Sequence, residues 1–282
     1  MSDAAFLLGL IGEGIQASRT PAMHEQEATV QHMRAIYRLI DMHKLGVGVE
    51  SLPELLLSAE RMAFNGLNIT HPCKQAVVPL LHELSPEARA LNAVNTVLLR
   101  DGRRIGHNTD WSGFADSFRR FMADAKRDRI VQLGAGGAGS AVAYAAMTLG
   151  VRELTIIDID AARAAAVAEG LRMLFADRRI VANSDLADAL ATADGLINTT
   201  PIGMASHPGL PLPAPLLRPQ LWVAEIVYFP LQTALLEHAR AIGCRTLDGS
   251  GMAVFQAAAA FRLFTGREPD ADRMLRHFRS MG

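Results

Sequence analysis

Apolar positions along the chain come in two textures. Short unbroken runs of the kind that build strands buried on both faces alternate with stretches spaced at three and four residues, the mark of amphipathic helices. In the first half the runs predict strands at Phe6–Ile11, Ile36–Ile40, Phe64–Ile69 and Ala93–Leu99. Helical spacing appears over Leu52–Met62, with Ser51 as the expected cap, over Gln75–Leu81, and from Trp111 through Phe114, Phe118, Phe121 and Met122. Asp101-Gly102 supplies a hairpin turn. The polar stretch Asp124–Arg129 then breaks the pattern and marks a domain boundary.

Beyond it, strand and helix alternate regularly. Strands are expected at Ile130–Leu133, Leu154–Ile157, Ile180–Ala182, Gly195–Asn198, Trp222–Val227 and Cys244–Leu247. Helices are expected at Arg163–Phe175, Leu186–Leu190, Thr233–Ile242, after Asp248 as far as Phe264, and over the tail Ala271–Met281. Such alternation argues for a parallel, doubly wound sheet. The first of these strands feeds Gly134-Ala-Gly-Gly-Ala-Gly139, and an alanine-rich helix follows at once. Gly134, Gly136 and Gly139 fit G-x-G-x-x-G, a weak pattern alone. It gains weight from the strand before it, the helix after it, and Asp158 about twenty residues on, at the tip of the second strand. The glycines allow a tight turn, close approach to a pyrophosphate and close helix–strand packing, and the helix start offers N–H groups to phosphate.

A chain of 282 residues with half its residues apolar and a net charge of -1 has room for two cores. Its charge invites neither nucleic acid nor an anionic membrane. It shows no long apolar span and no secretory leader, so a cytoplasmic protein is expected. Cys73 and Cys244 form no disulfide framework and no metal-ligand spacing; no metal is expected.

Only three lysines, Lys44, Lys74 and Lys126, stand among the 28 Lys plus Arg. Arginine stays protonated, whereas a lysine can serve as a base, so each lysine matters. Lys44 and Lys126 have polar neighbours. Lys74 follows Thr70-His-Pro-Cys and opens an otherwise apolar helix, where the dipole disfavours an ammonium; it is a candidate base or a lysine snorkelling off the first turn. Ser18-Arg-Thr-Pro21 leads into another helix, so the hydroxyls of Ser18 and Thr20 either receive a carboxylate or cap that helix. Asp110 is either an N-cap or part of a site wall with Gly106-His-Asn-Thr. Gln256, among alanines, either packs or reaches a ligand hydroxyl.

Taken together, Ser18-Arg-Thr-Pro, Asn68-Ile-Thr-His-Pro-Cys-Lys, Ala93-Val-Asn-Thr, Asn108-Thr-Asp, Gly134-Ala-Gly-Gly-Ala, Asn198-Thr-Thr-Pro-Ile-Gly-Met and Asp248-Gly-Ser-Gly-Met with Gln256 resemble, in order and over almost the whole length, the shikimate dehydrogenase family and its quinate/shikimate branch. The resemblance implies an α/β protein of two domains with a cleft between them. The first would be an N-terminal substrate domain, residues 1–126, with a C-terminal helix from about 255 to 282 packing back. The second, 127–254, would be a Rossmann-type doubly wound parallel sheet. It implies Lys74 as base and Asp110 as its partner, Asn95 and Asp110 at substrate hydroxyls, Ser18, Thr20 and Tyr228 at a carboxylate, and Thr70 and Gln256 completing the pocket. Gly134, Ala135, Gly136, Gly137, Ala138, Asp158, Arg163, Thr199, Val227, Gly249, Gly251 and Met252 would face the dinucleotide. The expected substrates are ring hydroxy acids, quinate and shikimate; a homodimer stays open.

Two departures from the family pattern are informative. Ser18-Arg-Thr20 replaces the usual Ser-x-Ser, which reshapes the carboxylate end and resembles the quinate-using branch. Ile157-Asp158-Ile-Asp160 stands where members using NADP place Asn-Arg-Thr, so NAD is expected. Arg163 either flanks the adenine or lies on the surface. Two other readings stay open: a dehydrogenase of a modified ring acid, since one methyl is worth only about 1–3 kcal/mol in discrimination, and a non-catalytic NAD sensor on the same fold.

Overall fold

The computed structural model describes residues 4–183 and 185–281 and divides into two compact units, Met1–Thr109 with Val254–Gly282, and Asp110–Ala253.

In the first unit the strands are β1 (Ala5–Gly12), β2 (Arg34–Asp41), β3 (Gly66–Ile69), β4 (Glu83–Leu84), β5 (Thr96–Arg100) and β6 (Arg103–His107). The helices among them are α1 (Thr20–Val30), α2 (Met42–Leu45), α3 (Leu52–Arg61), α4 (Cys73–Ala76) and α5 (Pro86–Leu91). The sheet order is β2-β1-β3-β5-β6-β4. β1 runs parallel to β2 and β3, and β5 runs antiparallel to β3 and β6. Asp101 and Gly102 both have positive φ, 52° and 71°, as the tight hairpin between β5 and β6 requires. Leu8, Ile11, Leu56, Leu67, Ile69 and Val97 fill the core.

Two expectations fail in this unit. Ser51 does not cap α3 through its side chain; it ends a 3₁₀ turn, Val49–Ser51. The helix expected over Gln75–Leu81 is a single turn, α4, followed by a 3₁₀ turn, Val78–Leu80. Pro79 lacks an N–H, and its ring crowds the preceding turn, so an α-helix cannot run through it.

The second unit holds α6 (Asp110–Phe121), β7 (Arg129–Leu133), α7 (Gly137–Thr148), β8 (Glu153–Ile157), α8 (Ala161–Leu174), β9 (Arg179–Ala182), α9 (Leu186–Ala191), β10 (Gly195–Asn198), β11 (Trp222–Glu225), α10 (Ala234–Ala241) and β12 (Arg245–Leu247). Its sheet order is β12-β11-β10-β7-β8-β9, every pair parallel. The order reverses between β7 and β10, the switch point beside which doubly wound sheets bind ligands at their carboxyl ends. The division of the chain falls at Thr109/Asp110 rather than at 126/127, because α6 buries Phe114 and Phe118 in the same cluster as Ile130, Val142, Ile156 and Trp222.

Two more helices complete the chain, α11 (Ser250–Thr265) and α12 (Ala271–Ser280). Within the first unit α12 lies on α1: Arg273 pairs with the buried Glu27 at 2.6 Å, and the Arg19 guanidinium lies over the Phe278 ring. No helix among the described residues is long and apolar enough to cross a membrane.

Candidate active site

In the first unit the candidate residues gather at one edge of the sheet. β1 and β3 are parallel neighbours, so the loops leaving them emerge together, and β5, antiparallel to β3, starts at that same edge. The loop after β1 leads to Ser18 and Thr20, whose hydroxyls lie 3.1 Å apart. The Ser18 hydroxyl also accepts the Thr20 N–H, so it serves the first turn of α1 while pointing to its neighbour. Gly14 and Ile15 of this loop donate their N–H groups to Asp41; against the opposing effect of burial, the Gln16 amide together with the N–H groups of Gly14, His43 and Ile15 holds the Asp41 carboxyl below the usual range.

Thr70 ends β3. Its N–H is held by the Ile11 carbonyl, and its own carbonyl accepts from Cys73, closing the turn that presents Lys74. The Lys74 carbonyl accepts the Val94 N–H at 2.8 Å, and the Asn95 carbonyl accepts the Ile69 N–H at 2.8 Å. Lys74 and Asn95 are therefore fixed to one frame through the backbone. The lysine sits in a single helical turn, too short for the dipole invoked from the sequence to matter much.

Asn95 is 3% exposed and heavily bonded. Its Oδ1 accepts the Thr109 N–H at 2.7 Å, and its Nδ2 donates to the Thr109 hydroxyl at 2.9 Å and reaches Gln256 Oε1 at 3.5 Å. Behind it, Tyr37 donates to Asn68 at 2.7 Å, and Asn68 donates to the Thr96 hydroxyl and the Asn95 carbonyl. The sequence assigns no role to Tyr37 or Thr96, and to Thr109 only a place in a polar site wall. The available signal was polar residues inside a buried strand, which cannot stay there without partners.

Asp110 opens α6 in the second unit and is buried. There the glycine turn follows β7, and its glycines play three distinct parts. Gly134 has a φ of 94°, and a Cβ on it would meet Thr199 Oγ1 at 2.7 Å. A Cβ on Gly139 would stand 2.5 Å from the Gly134 carbonyl oxygen, so strand and helix touch there. A Cβ on Gly136 would meet nothing within 4 Å. Gly136 precedes α7, whose start carries no side-chain cap and no acidic residue. That open face with uncapped N–H groups suits a pyrophosphate, and Gly137 and Ala138 belong to it.

Asp158 follows β8 and turns back on the same loop. Its Oδ2 accepts the Ala135 N–H at 2.7 Å, and its Oδ1 accepts the Asp160 N–H at 2.8 Å. Arg163 reaches Asp158 at 3.8 Å and Asp160 at 3.3 Å. The hydroxyl of Thr199, after β10, donates to the carbonyls of Leu133 and Gly134. Val227 and the 43%-exposed Tyr228 follow β11. Gly249 packs on the Val227 carbonyl, and Gly251 packs on Ser117. Met252 is buried in the core that holds α6.

Sequence reasoning missed Glu225, a carboxylate at the carboxyl end of β11. It was read as part of a strand, although an acid closing an apolar strand is itself a signal. Burial pushes its pKa up to about 7 against the opposing pull of its hydrogen-bond donors. Among the described residues no group of three or more His, Cys, Asp or Glu could hold a metal ion.

Residues 10–97 match the family model described as the shikimate dehydrogenase substrate binding domain, and residues 249–277 match that of the shikimate 5'-dehydrogenase C-terminal domain. The chain is 58% identical over 277 residues to the shikimate dehydrogenase (NADP(+)) of Streptomyces avermitilis, covering 98% of this chain and 95% of that one. It is 50% identical over 285 residues to the quinate/shikimate dehydrogenase (NAD(+)) of Corynebacterium efficiens, covering the whole of both. Among solved structures, the quinate dehydrogenase of Corynebacterium glutamicum in complex with NAD superposes with a TM-score of 0.93 at 48% identity, covering 98% of this chain and 99% of that one.

Proposed function

The chain belongs to the shikimate dehydrogenase family, and on that premise we propose that it oxidises quinate, shikimate or both at the C3 hydroxyl to the 3-dehydro acid, reversibly, with NAD. The observation that supports the reading is the backbone bond from Val94 to Lys74, which ties the turn carrying Lys74 to the strand segment carrying the buried Asn95, at the edge where Thr70 also emerges. The dinucleotide supplies the acceptor for the hydride leaving C3. Lys74, as the amine, accepts the hydroxyl proton so that the C–O double bond can form, with Asp110 as the carboxylate partner. Asn95 and Gln256 orient ring hydroxyls. Ser18, Thr20 and Tyr228 offer hydroxyls to the ring carboxylate, and neutral donors suffice there.

Relatives at similar identity carry either NAD(+) or NADP(+) in their names, so the cofactor rests on the second strand of the nucleotide fold. Asp158 favours NAD. A 2′-phosphate brings a charge of about -1.5 to -2. Beside a carboxylate at 4 Å, each unit of that charge is opposed by about 4 kcal/mol at an intermediate dielectric. Arg163 offsets only part of this, since it already answers both Asp158 and Asp160. A cytoplasmic setting fits two buried cysteines that form no disulfide.

The test is direct. Purified protein is mixed with NAD or NADP and with each acid, and reduced dinucleotide is followed by absorbance. Folded protein that turns over neither acid refutes the reading. Lys74→Ala is expected to lower kcat about 10²- to 10⁴-fold with a modest change in substrate KM; near-native kcat would remove Lys74 from the base role.

A further inference from the structure

One carboxylate with no assigned role bonds Val227, and through Asn198 it is tied to the loop that carries Thr199. Glu225 is 2% exposed. Asn198 Nδ2 donates to both of its oxygens at 3.0 Å, the Val227 N–H donates to Oε1 at 3.0 Å, and the Thr233 hydroxyl donates to Oε2 at 3.2 Å. Asn198 also shapes the loop after β10: its Oδ1 accepts from the N–H and hydroxyl of Thr200, and its Nδ2 donates to the Ile202 carbonyl. Thr199, within that loop, holds the glycine turn through Leu133 and Gly134. On the other side, a Cβ on Gly249 would stand 2.4 Å from the Val227 carbonyl oxygen. The glycine turn, the loop after β10, the segment after β11 and the start of α11 are thus linked by short contacts running through Glu225.

We propose that Glu225 is a positioning residue of the dinucleotide site: it pins the loop carrying Thr199 to the segment carrying Val227, and its charge state sets the affinity for the cofactor. This rests on the NAD reading given above. An ionised Glu225 accepts from every donor around it. When it is protonated, one oxygen carries a hydrogen and becomes a donor, so the bonds that oxygen accepted weaken or reverse: those from Asn198 and Thr233 at Oε2, or those from Asn198 and Val227 at Oε1. The acid form therefore holds the two segments less tightly. Its pKa, near 7, places the change within the working range.

The groups facing the carboxylate are neutral: Asn198 from β10, Gly203 from the following loop, and Thr233 at the start of α10. His207 belongs to the same loop and pairs with the Ser206 hydroxyl. Farther along α10, Glu237 and Arg240 are exposed and His238 is half-buried.

The probe is NADH, titrated by fluorescence from pH 6 to pH 8 into the native protein, Glu225→Gln and His207→Asn. Native affinity is expected to weaken as pH falls, with an inflection near 7. Glu225→Gln is expected to show a flat profile and an affinity about tenfold weaker at pH 8, the loss of one bond to a charged group, while kcat at saturating dinucleotide changes far less. His207→Asn should keep the native profile. If Glu225→Gln does not fold, Thr233→Val removes one donor to the carboxylate and should move the inflection upward. A Gln variant with native affinity and profile overturns the proposal, as does an inflection that vanishes in His207→Asn or stays put in Thr233→Val. Native protein that binds no dinucleotide at any pH brings down the cofactor reading, and this proposal with it.

Discussion

Substituting alanine at Gly136 and at Gly139 should produce opposite defects, although the two glycines stand three residues apart in one turn. At Gly136 the backbone, with φ -71° and ψ -169°, lies where any residue is comfortable, and a methyl there touches nothing. Removing a glycine from the unfolded chain stabilises by about 0.4–1 kcal/mol. Alanine is a poorer helix N-cap than glycine by about 0.5–1 kcal/mol. The two nearly cancel, so the melting temperature should hardly move. The methyl projects, however, from the face where a pyrophosphate would approach the uncapped start of α7. Losing one charge-assisted bond there removes about 1.5–3 kcal/mol, a roughly 10- to 100-fold weaker Kd for NADH.

At Gly139 the methyl would stand 2.5 Å from the Gly134 oxygen and 2.8 Å from Thr199 Oγ1. Gly134 cannot retreat, because its carbonyl already accepts from Gln132 and Thr199. Overpacking of that kind costs about 1–3 kcal/mol, and each kcal/mol lowers the melting temperature by about 2–4 °C in a chain this long. Thermal unfolding by circular dichroism and NADH titration on both variants test the pair. A Gly136→Ala protein that binds NADH within about twofold of native would refute the assignment of that face to phosphate.

Two further outcomes are expected. Asp158→Ala should weaken NAD and relax the discrimination against NADP, read as the ratio of kcat/KM for the two cofactors; an unchanged ratio would place the selectivity elsewhere. His24 is fully buried with neither ring nitrogen hydrogen-bonded, and burial drives its pKa from 6.5 to about 3. The unfolded chain thus binds a proton below pH 6.5 that the folded one refuses, so stability is full above that pH and falls as pH drops towards 3. His24→Phe, placed among Tyr37, Phe261 and Phe264, should recover about 2 kcal/mol at pH 5, measured by urea unfolding at pH 5 and pH 8; an equal gain at both pH values would refute this account.

The parallel sheet of the second unit could be read from the chain because each strand is a continuous apolar run and each connection a helical pattern. The glycine turn was legible for the same reason. Three things were not. The apolar stripe of α6 does not reveal which core it enters, and Phe114 and Phe118 chose the second. The run after Lys74 has helical spacing, but one proline reduced it to turns. His24 carries no local mark of burial, and the acid that closes the apolar strand at Glu225 does not reveal its partners; what makes the two unusual is the set of neighbours brought from Asn198 and Thr233, or from Phe261 and Phe264. Such partners, far apart along the chain, become visible only once it is folded.

The meeting of Gly134, Gly139 and Thr199 restricts how this loop can vary. A side chain added at either glycine runs into Thr199, and the Thr199 hydroxyl is committed to the carbonyls of Leu133 and Gly134. A larger residue at one position needs a smaller or differently bonded one at another, and each single step between two such solutions passes through a strained protein. This corner of the nucleotide fold can therefore change only by concerted substitution.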